Sequence, residues 1–314
     1  MEDLAYQITP ELSESAVAEL ITIRDMLRWA ASQFEKADLF YGHGTDNPWD
    51  EAVAVVIPAI DLPLESSLHI LDARLTEEER EEVLDAITRR VNEGIPSAYI
   101  HNQAYFNKIP FFVDERVIVP RSPMAELIAD GFEPLIHEAP EKVLDMCTGS
   151  GCIAIATALQ FEDAELDAVD ISDEALEVAR INVDAYSLED RVQLIKSDLF
   201  KSLPKKAYDL IIANPPYVPT SSISDLPEEF LSEPEMALVA GDDGLACIRP
   251  ILQHAADYLS DDGLLVMEVG EAQEYVEEAF PDVPFTWLEF ENGGEGVFCI
   301  KQSELAAAKA AGKL

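Results

Sequence analysis

The sequence predicts a doubly wound α/β domain carried behind a small helical unit. Three observations point there. From about residue 140 onward, short apolar runs alternate with helical stretches, the pattern of βαβ units. The first of these runs leads into a glycine-rich turn, Asp145-Met146-Cys147-Thr148-Gly149-Ser150-Gly151. The fourth ends in Asn214-Pro215-Pro216-Tyr217, at the carboxyl end of a buried strand, where open parallel sheets bind their ligands.

Taken in order, the chain begins with a helical pattern over 13–36, where Leu20, Ile23, Leu27, Ala31 and Phe34 recur at helical spacing and Ser13 is a candidate N-cap. Asn47 followed by Pro48 predicts a second, short helix to about Ile57. Gly42 and Gly44 punctuate the turn before it, and His43 between them reads as a loop residue or a substrate contact. Thr76-Glu77-Glu78-Glu79 is a capping box for a helix whose buried face is Val83, Leu84, Ile87 and Val91, ended by Gly94 and Pro96. Residues 1–95 thus form a helical unit, a structural cap or a substrate-recognition domain.

From Ala98 to Val119 the pattern turns β-rich and aromatic, with Asn107-Lys108 near a hairpin turn, and 96–121 reads as a hairpin linker. A helix from about Ser122 through Ile128 opens the main domain, 122–301. Its strands are expected at Val143–Met146, Glu165–Asp170, Arg191–Ile195, Asp209–Ala213 and Leu264–Val269, with helices at 151–160, 172–186 and about 244–259. Thr286–Phe290 and Gly296–Ile300, joined by Glu291-Asn292-Gly293-Gly294-Glu295, predict an antiparallel edge. The Ala/Lys-rich stretch from Glu304 reads as a frayed helix within a flexible tail, 302–314.

Composition narrows the classes. With 314 residues, 48% hydrophobic and 26% charged, the chain has core enough for one large or two modest domains. It has no apolar run long enough to span a membrane. Its start, Met1-Glu2-Asp3-Leu4, is acidic where a secretory signal is basic, so a cytoplasmic location is expected. Cys147, Cys152, Cys247 and Cys299 lack zinc-site spacing, and no metal is expected. The net charge of −41 disfavours nucleic acid, whose phosphates need Lys and Arg, and would attract a basic protein. A solubility adaptation to a salty cytoplasm accounts for it equally well.

The glycine turn fits a nucleoside-containing cofactor. Gly149, Gly151 and Ala154 follow G-x-G-x-x-G/A, giving a tight turn, close backbone approach and close helix packing. Asp170 ends the second strand, where a carboxylate binds ribose hydroxyls; NAD and S-adenosylmethionine both qualify. Asp198, just past the third strand, is either an adenine contact or an exposed turn residue. Asn214-Pro215-Pro216-Tyr217 combines an amide, two prolines whose carbonyls can only accept, and an aromatic face. That suits a planar NH2 group, and equally an ordinary Asn-Pro turn. From Pro219 to Ile248 the acids Asp225, Glu228, Glu229, Glu233, Glu235, Asp242 and Asp243 occur with no basic residue before Arg249, an acidic lip for a basic substrate.

Together, the glycine turn, Asp170 and Asn214–Tyr217 resemble the class I S-adenosylmethionine-dependent methyltransferases. With the helical unit, the hairpin and Val119-Pro120-Arg121, the chain from roughly 13 to 301 is similar to the glutamine-amide methyltransferases that modify release factors and a ribosomal protein. The tract Tyr41-Gly42-His43-Gly44-Thr45-Asp46-Asn47-Pro48-Trp49-Asp50-Glu51-Ala52, the ending Phe285-Thr286-Trp287-Leu288-Glu289-Phe290 and Met146-Cys147 look like the branch acting on large-subunit ribosomal protein three. Ala125-Glu126 departs from the Thr-Glu usual in release-factor enzymes.

The resemblance implies a mostly parallel sheet and S-adenosylmethionine as cofactor. It implies that Asn214 and Pro215 accept the two amide N–H bonds of a glutamine, with Pro216 and Tyr217 completing the substrate site. Cofactor contacts carried over are Cys147, Thr148, Gly149, Ser150 and Gly151 at the methionine end and Asp170 on ribose. Asp198 with Leu199 falls near adenine, Asp145 near the ammonium, and Asn214 is shared. The partner implied is a basic large-subunit ribosomal protein, free or in an assembling subunit. Release factors, the amino group of adenine in nucleic acid, and a ribosome-assembly module without turnover are the alternatives.

Overall fold

The computed structural model describes residues 6–64 and 66–314, so the acidic start Met1–Leu4 lies outside the described residues. The chain divides into two compact units, one running to Ala104 and taking in Pro227–Ser232, the other Tyr105–Leu226 with Glu233–Leu314.

The first unit is helical. Thr9 caps the helix Pro10–Glu19, not Ser13, and a second helix, Ile23–Ala37, follows. The single helix expected over 13–36 is therefore broken. Thr22 is the cause: its hydroxyl accepts from the Asp25 N–H while the Asp25 carboxylate accepts from the Thr22 N–H, a box that starts a helix afresh. Asn47 caps Pro48–Val56 through the N–H groups of Trp49 and Asp50, and Thr76 caps Glu77–Asn92, both as expected. Met26, Leu27, Phe34, Val55, Val83, Leu84 and Ile87 close the core.

Inside this core sits a cation. Arg90 is 2% exposed, and its Nε donates to Glu51 Oε1 at 2.6 Å and its Nη2 to the Phe40 carbonyl at 3.0 Å. Glu229 stands 3.6 Å from its Nη1 and also accepts from the Phe40 N–H at 2.9 Å. Phe230 packs against Phe40 and against the buried ring of His43. These partners are why Pro227–Ser232, although far along the chain, belongs to the helical unit.

At the boundary lies a hairpin, β1 (Ala104–Phe106) and β2 (Ile109–Phe111), turned by Asn107 and Lys108 at φ 51° and 62°. The extended run expected to continue to Val119 stops there. The Phe112 backbone instead donates to Asn182 Oδ1 and accepts from Asn182 Nδ2, so it needs no strand neighbour.

The remaining strands are β3 (Lys142–Met146), β4 (Glu165–Asp170), β5 (Val192–Lys196), β6 (Tyr208–Ala213), β7 (Leu259–Glu268), β8 (Thr286–Trp287) and β9 (Val297–Lys301). They form one sheet in the order β5-β4-β3-β6-β7-β9-β8, parallel from β5 to β7, with β9 antiparallel to both its neighbours. The chain winds outward from β3 to β5, then returns to β6 on the other side. Its switch point lies between β3 and β6. The strand alternation divides the apolar core: Leu144, Ile211, Leu265 and Phe298 join one cluster, Val143, Ile212, Val266 and Cys299 the other. The predicted strand at 286–290 is only two residues long, and β7 begins five residues earlier than expected.

The C-terminal stretch is not a loose tail. Gln302–Ala310 is a helix with Leu305 fully buried in the sheet's core, Gln302 Nε2 donating to the Ala256 carbonyl and Lys309 paired to Asp257 at 2.7 Å. Leu305→Ala is expected to destabilise this unit by about 2–5 kcal/mol. The measurement is a fall in the urea midpoint, with faster hydrogen exchange in β7 and β9; an unchanged midpoint would mean the helix is peripheral.

Candidate functional site

Parallel register brings the site together. Met146 pairs with Val169 on one side and Ala213 on the other, and Ala213 pairs with Met267. The carboxyl ends of β3, β4, β6 and β7 are therefore level, and the residues just beyond them share one crevice edge.

After β3 the chain turns tightly through Cys147, Gly149 and Gly151, all at positive φ (62°, 54° and 80°). A Cβ at Gly151 would stand 3.3 Å from Ala179 Cβ, so this glycine lets the helix Cys152–Gln160 pack close to its neighbour. The turn is held from below by acids. Asp145 is fully buried, and its Oδ2 accepts from the Thr148 hydroxyl and from the Ala154 N–H. Its Oδ1 is buried with no partner among the described residues. Burial pushes this carboxyl up to about 7. Asp170, at the end of β4, accepts from the Gly149 N–H at 3.0 Å and from the Ser172 N–H, and burial raises its titration too.

Cys152 is buried and its thiol is pushed up to about 12; burial also raises Cys147 well above the ordinary thiol value. Both are protonated packing residues at neutral pH. Ser150 and Thr148 are buried beside them. Asp198 lies past β5 but its side chain is about half exposed and pairs with Lys201 at 2.6 Å. Leu199, at φ 49°, packs against the core.

Asn214 and Pro215 leave β6 with the Asn214 amide and the Pro215 carbonyl outside every hydrogen bond described. Tyr217, by contrast, is pinned. A Cβ at Gly244 would stand 2.3 Å from its carbonyl oxygen, and one at Gly270 would stand 2.6 Å from its ring. Its hydroxyl donates to Glu268 Oε1 at 3.3 Å, and burial raises the phenol. The Ser122 hydroxyl donates to the other oxygen of Glu268.

Glu268 and Ser122 are absent from the sequence-derived set. The signal for Glu268 was present: an acid ending the apolar run Leu264–Met267, as Asp170 ends its own. Ser122 carried none.

Two carboxylates of the acidic lip, Glu229 and Glu233, are internal. Glu233 is 5% exposed, bound by Arg121 through both guanidinium nitrogens at 2.5 and 2.8 Å and by the Val119 N–H. Glu229 is buried in the helical unit, and Asp243 pairs with Arg249 at 2.7 Å. Asp225, Glu235 and Asp242 stay exposed; the side chain of Glu228 lies outside the described residues. Glu126 clips the loop after β8 by accepting from the N–H groups of Glu291 and Asn292.

Among the described residues no group of His, Cys, Asp and Glu is placed to hold a metal ion, and no helix is long and apolar enough to cross a membrane.

Comparison with known proteins bears on this arrangement. The family model described as "Methyltransferase small domain" matches residues 126–244. The chain is 51% identical over 292 residues to the ribosomal protein uL3 glutamine methyltransferase of Neisseria gonorrhoeae, covering 92% of this chain and 97% of that one. It is 50% identical to the enzyme of the same name from Neisseria meningitidis serogroup A, covering 92% and 96%. A parallel sheet with an antiparallel β9, a glycine turn after its first strand and near-complete coverage at half identity agree: the chain belongs to the family of the ribosomal protein uL3 glutamine methyltransferases, S-adenosylmethionine-dependent enzymes of the class I fold.

Proposed function

We propose that this chain methylates the side-chain amide nitrogen of a glutamine in large-subunit ribosomal protein uL3. The observation that carries the reading is the pair of uncommitted acceptors, Asn214 Oδ1 and the Pro215 carbonyl, at the end of β6 in a chain half identical to enzymes named for this reaction.

The residues around the glycine turn fit S-adenosylmethionine. The unpartnered, buried Oδ1 of Asp145 suits an ammonium, and the positive-φ turn of Cys147–Gly151 offers backbone for the methionine end. Asp170 has lone pairs left for ribose hydroxyls. Leu199 and Asp198 would hold the adenine, the latter giving up only a surface ion pair with Lys201. Bound there, the cofactor supplies an electrophilic methyl group on a sulfonium, a leaving group that needs no further activation.

The acceptor needs more help. An amide nitrogen is a poor nucleophile because its lone pair is delocalised into the carbonyl. Asn214 and Pro215 take its two N–H bonds, fix its orientation and stabilise the positive charge that grows on nitrogen. Neither is a strong base, so the nitrogen would lose its extra proton to water after the new bond forms. Tyr217 lies along the amide plane, beside Pro216. The helical unit, residues 1–95, recognises the protein substrate, and 96–121 links it to the methyltransferase domain, 122–301. The charge of −41 favours a basic ribosomal protein, free or in an assembling subunit, in the cytoplasm, and disfavours direct contact with nucleic acid.

Mass spectrometry of uL3, free and in unmodified large subunits, is expected to show a single methyl gained on a glutamine. Asn214→Ala is expected to slow that transfer by about 10²–10³-fold. A gain on a release factor alone would overturn the substrate, and a gain on adenine alone would overturn the reaction.

Asp145 gives a pH test. Its folded titration near 7 lies above the unfolded carboxylate value, so its contribution to the stability of the free protein is full at low pH and is lost as pH rises through about 7. A bound ammonium favours the ionised form. Cofactor affinity is therefore expected to rise with pH up to about 7, by at most about tenfold per unit, then level off. Calorimetric titration of Asp145→Asn is expected to show weaker binding without that step; an identical profile would remove Asp145 from the cofactor site.

A further inference from the structure

We propose that Glu268, backed by Ser122, is a positioning residue for methyl transfer: it fixes the Tyr217 hydroxyl and so holds rigid the aromatic wall of the acceptor site. The inference rests on the function proposed above and deepens it.

The partners of Glu268 set it apart. It is 6% exposed, and a buried carboxylate is tolerated only where partners hold it. Three other buried acids of this chain meet a cation, Glu51 at Arg90, Glu233 at Arg121 and Asp167 at Lys206, while Asp145 is held by the Thr148 hydroxyl and the Ala154 N–H. Glu268 instead commits both oxygens to hydroxyl groups, Oε2 to Ser122 and Oε1 to Tyr217. The guanidinium of Arg121 is already bound by both oxygens of Glu233. The Arg121 charge also acts on Glu268, but the hydrogen bonds described for Glu268 go to the two hydroxyls. Removing Glu268 would release a hydroxyl in the Asn214–Tyr217 motif.

Position makes that bond consequential. Met267 pairs with Ala213, so Glu268 stands one residue beyond the level at which β6 gives way to Asn214. Tyr217 is closely bounded: Gly244 and Gly270 approach its carbonyl and ring where no Cβ would fit, and its hydroxyl is held by Glu268. Burial raises both groups, which keeps the phenol protonated and donating at neutral pH. A ring held this way offers a fixed face to a planar amide. Proximity and orientation are what an uncharged clamp has to offer the reaction.

Single-turnover methylation of uL3 and S-adenosylmethionine affinity, measured on Tyr217→Phe, Glu268→Ala, Glu268→Gln and the Tyr217→Phe/Glu268→Ala pair, test this. Each of Tyr217→Phe and Glu268→Ala is expected to slow transfer by about tenfold, the worth of one hydrogen bond to a charged group. Cofactor affinity is expected to stay within about twofold, and the double variant to be little slower than the worse single one. Glu268→Gln is expected to recover most of the rate, since its amide oxygen still accepts from the phenol while its NH2 donates to Ser122. Effects that multiply independently, an unchanged rate in Glu268→Ala, or a parallel loss of cofactor affinity would each overturn the proposal. If Glu268→Ala does not fold, Ser122→Ala replaces it; a slower rate not compounded by Tyr217→Phe supports the proposal, and wild-type rate overturns it. A wild-type chain inactive on uL3 would instead overturn the function itself.

Discussion

The pairing of β3 with β6 is the constraint on which everything else in the site depends. These strands are adjacent in the sheet but separated in sequence by two complete βαβ excursions, and their register sets Met146 against Ala213. A one-residue slip would send every side chain of β6 to the opposite face, moving Ile211 and Ile212 between the two apolar clusters. The core therefore fixes the height at which the glycine turn and Asn214 emerge. Chemistry inherits its geometry from packing.

How much of this was legible in the sequence follows from how local each cause is. Asn47-Pro48 and Thr76–Glu79 act within one helical turn, and both caps are read directly from the chain. The central parallel strands β3, β4 and β6 are buried on both faces, and their apolar runs announce them. The break at Thr22 was missed because its capping box ends in Asp25 and interrupts a continuous apolar stripe. The stretch after Phe111 was misread because its aromatics suggest a strand, while its backbone is satisfied by Asn182, a residue 70 positions away. Long-range partners leave no local pattern.

The same distinction explains the site. The glycine turn, Asp170 and Asn214–Tyr217 are contiguous motifs and were visible. Glu268 and Ser122 meet across 146 residues and matter only through the contact. The acids after Tyr217 gave the opposite error, because charge along a sequence says nothing about which carboxylates are exposed. Glu229 and Glu233 are internal anchors matched to Arg90 and Arg121, and removing either cation would strand a buried charge.

The placement of Pro227–Ser232 has a consequence for inheritance. The helical unit is completed by six residues encoded between the Asn214–Tyr217 motif and the last parallel strand. A recombination event near residue 104 would therefore carry away Arg90 and His43 while leaving Glu229 and Phe230 behind. The two units cannot be exchanged as cassettes by a single crossover. A lineage that alters its helical unit has to do so in place, residue by residue, with the methyltransferase unit travelling alongside.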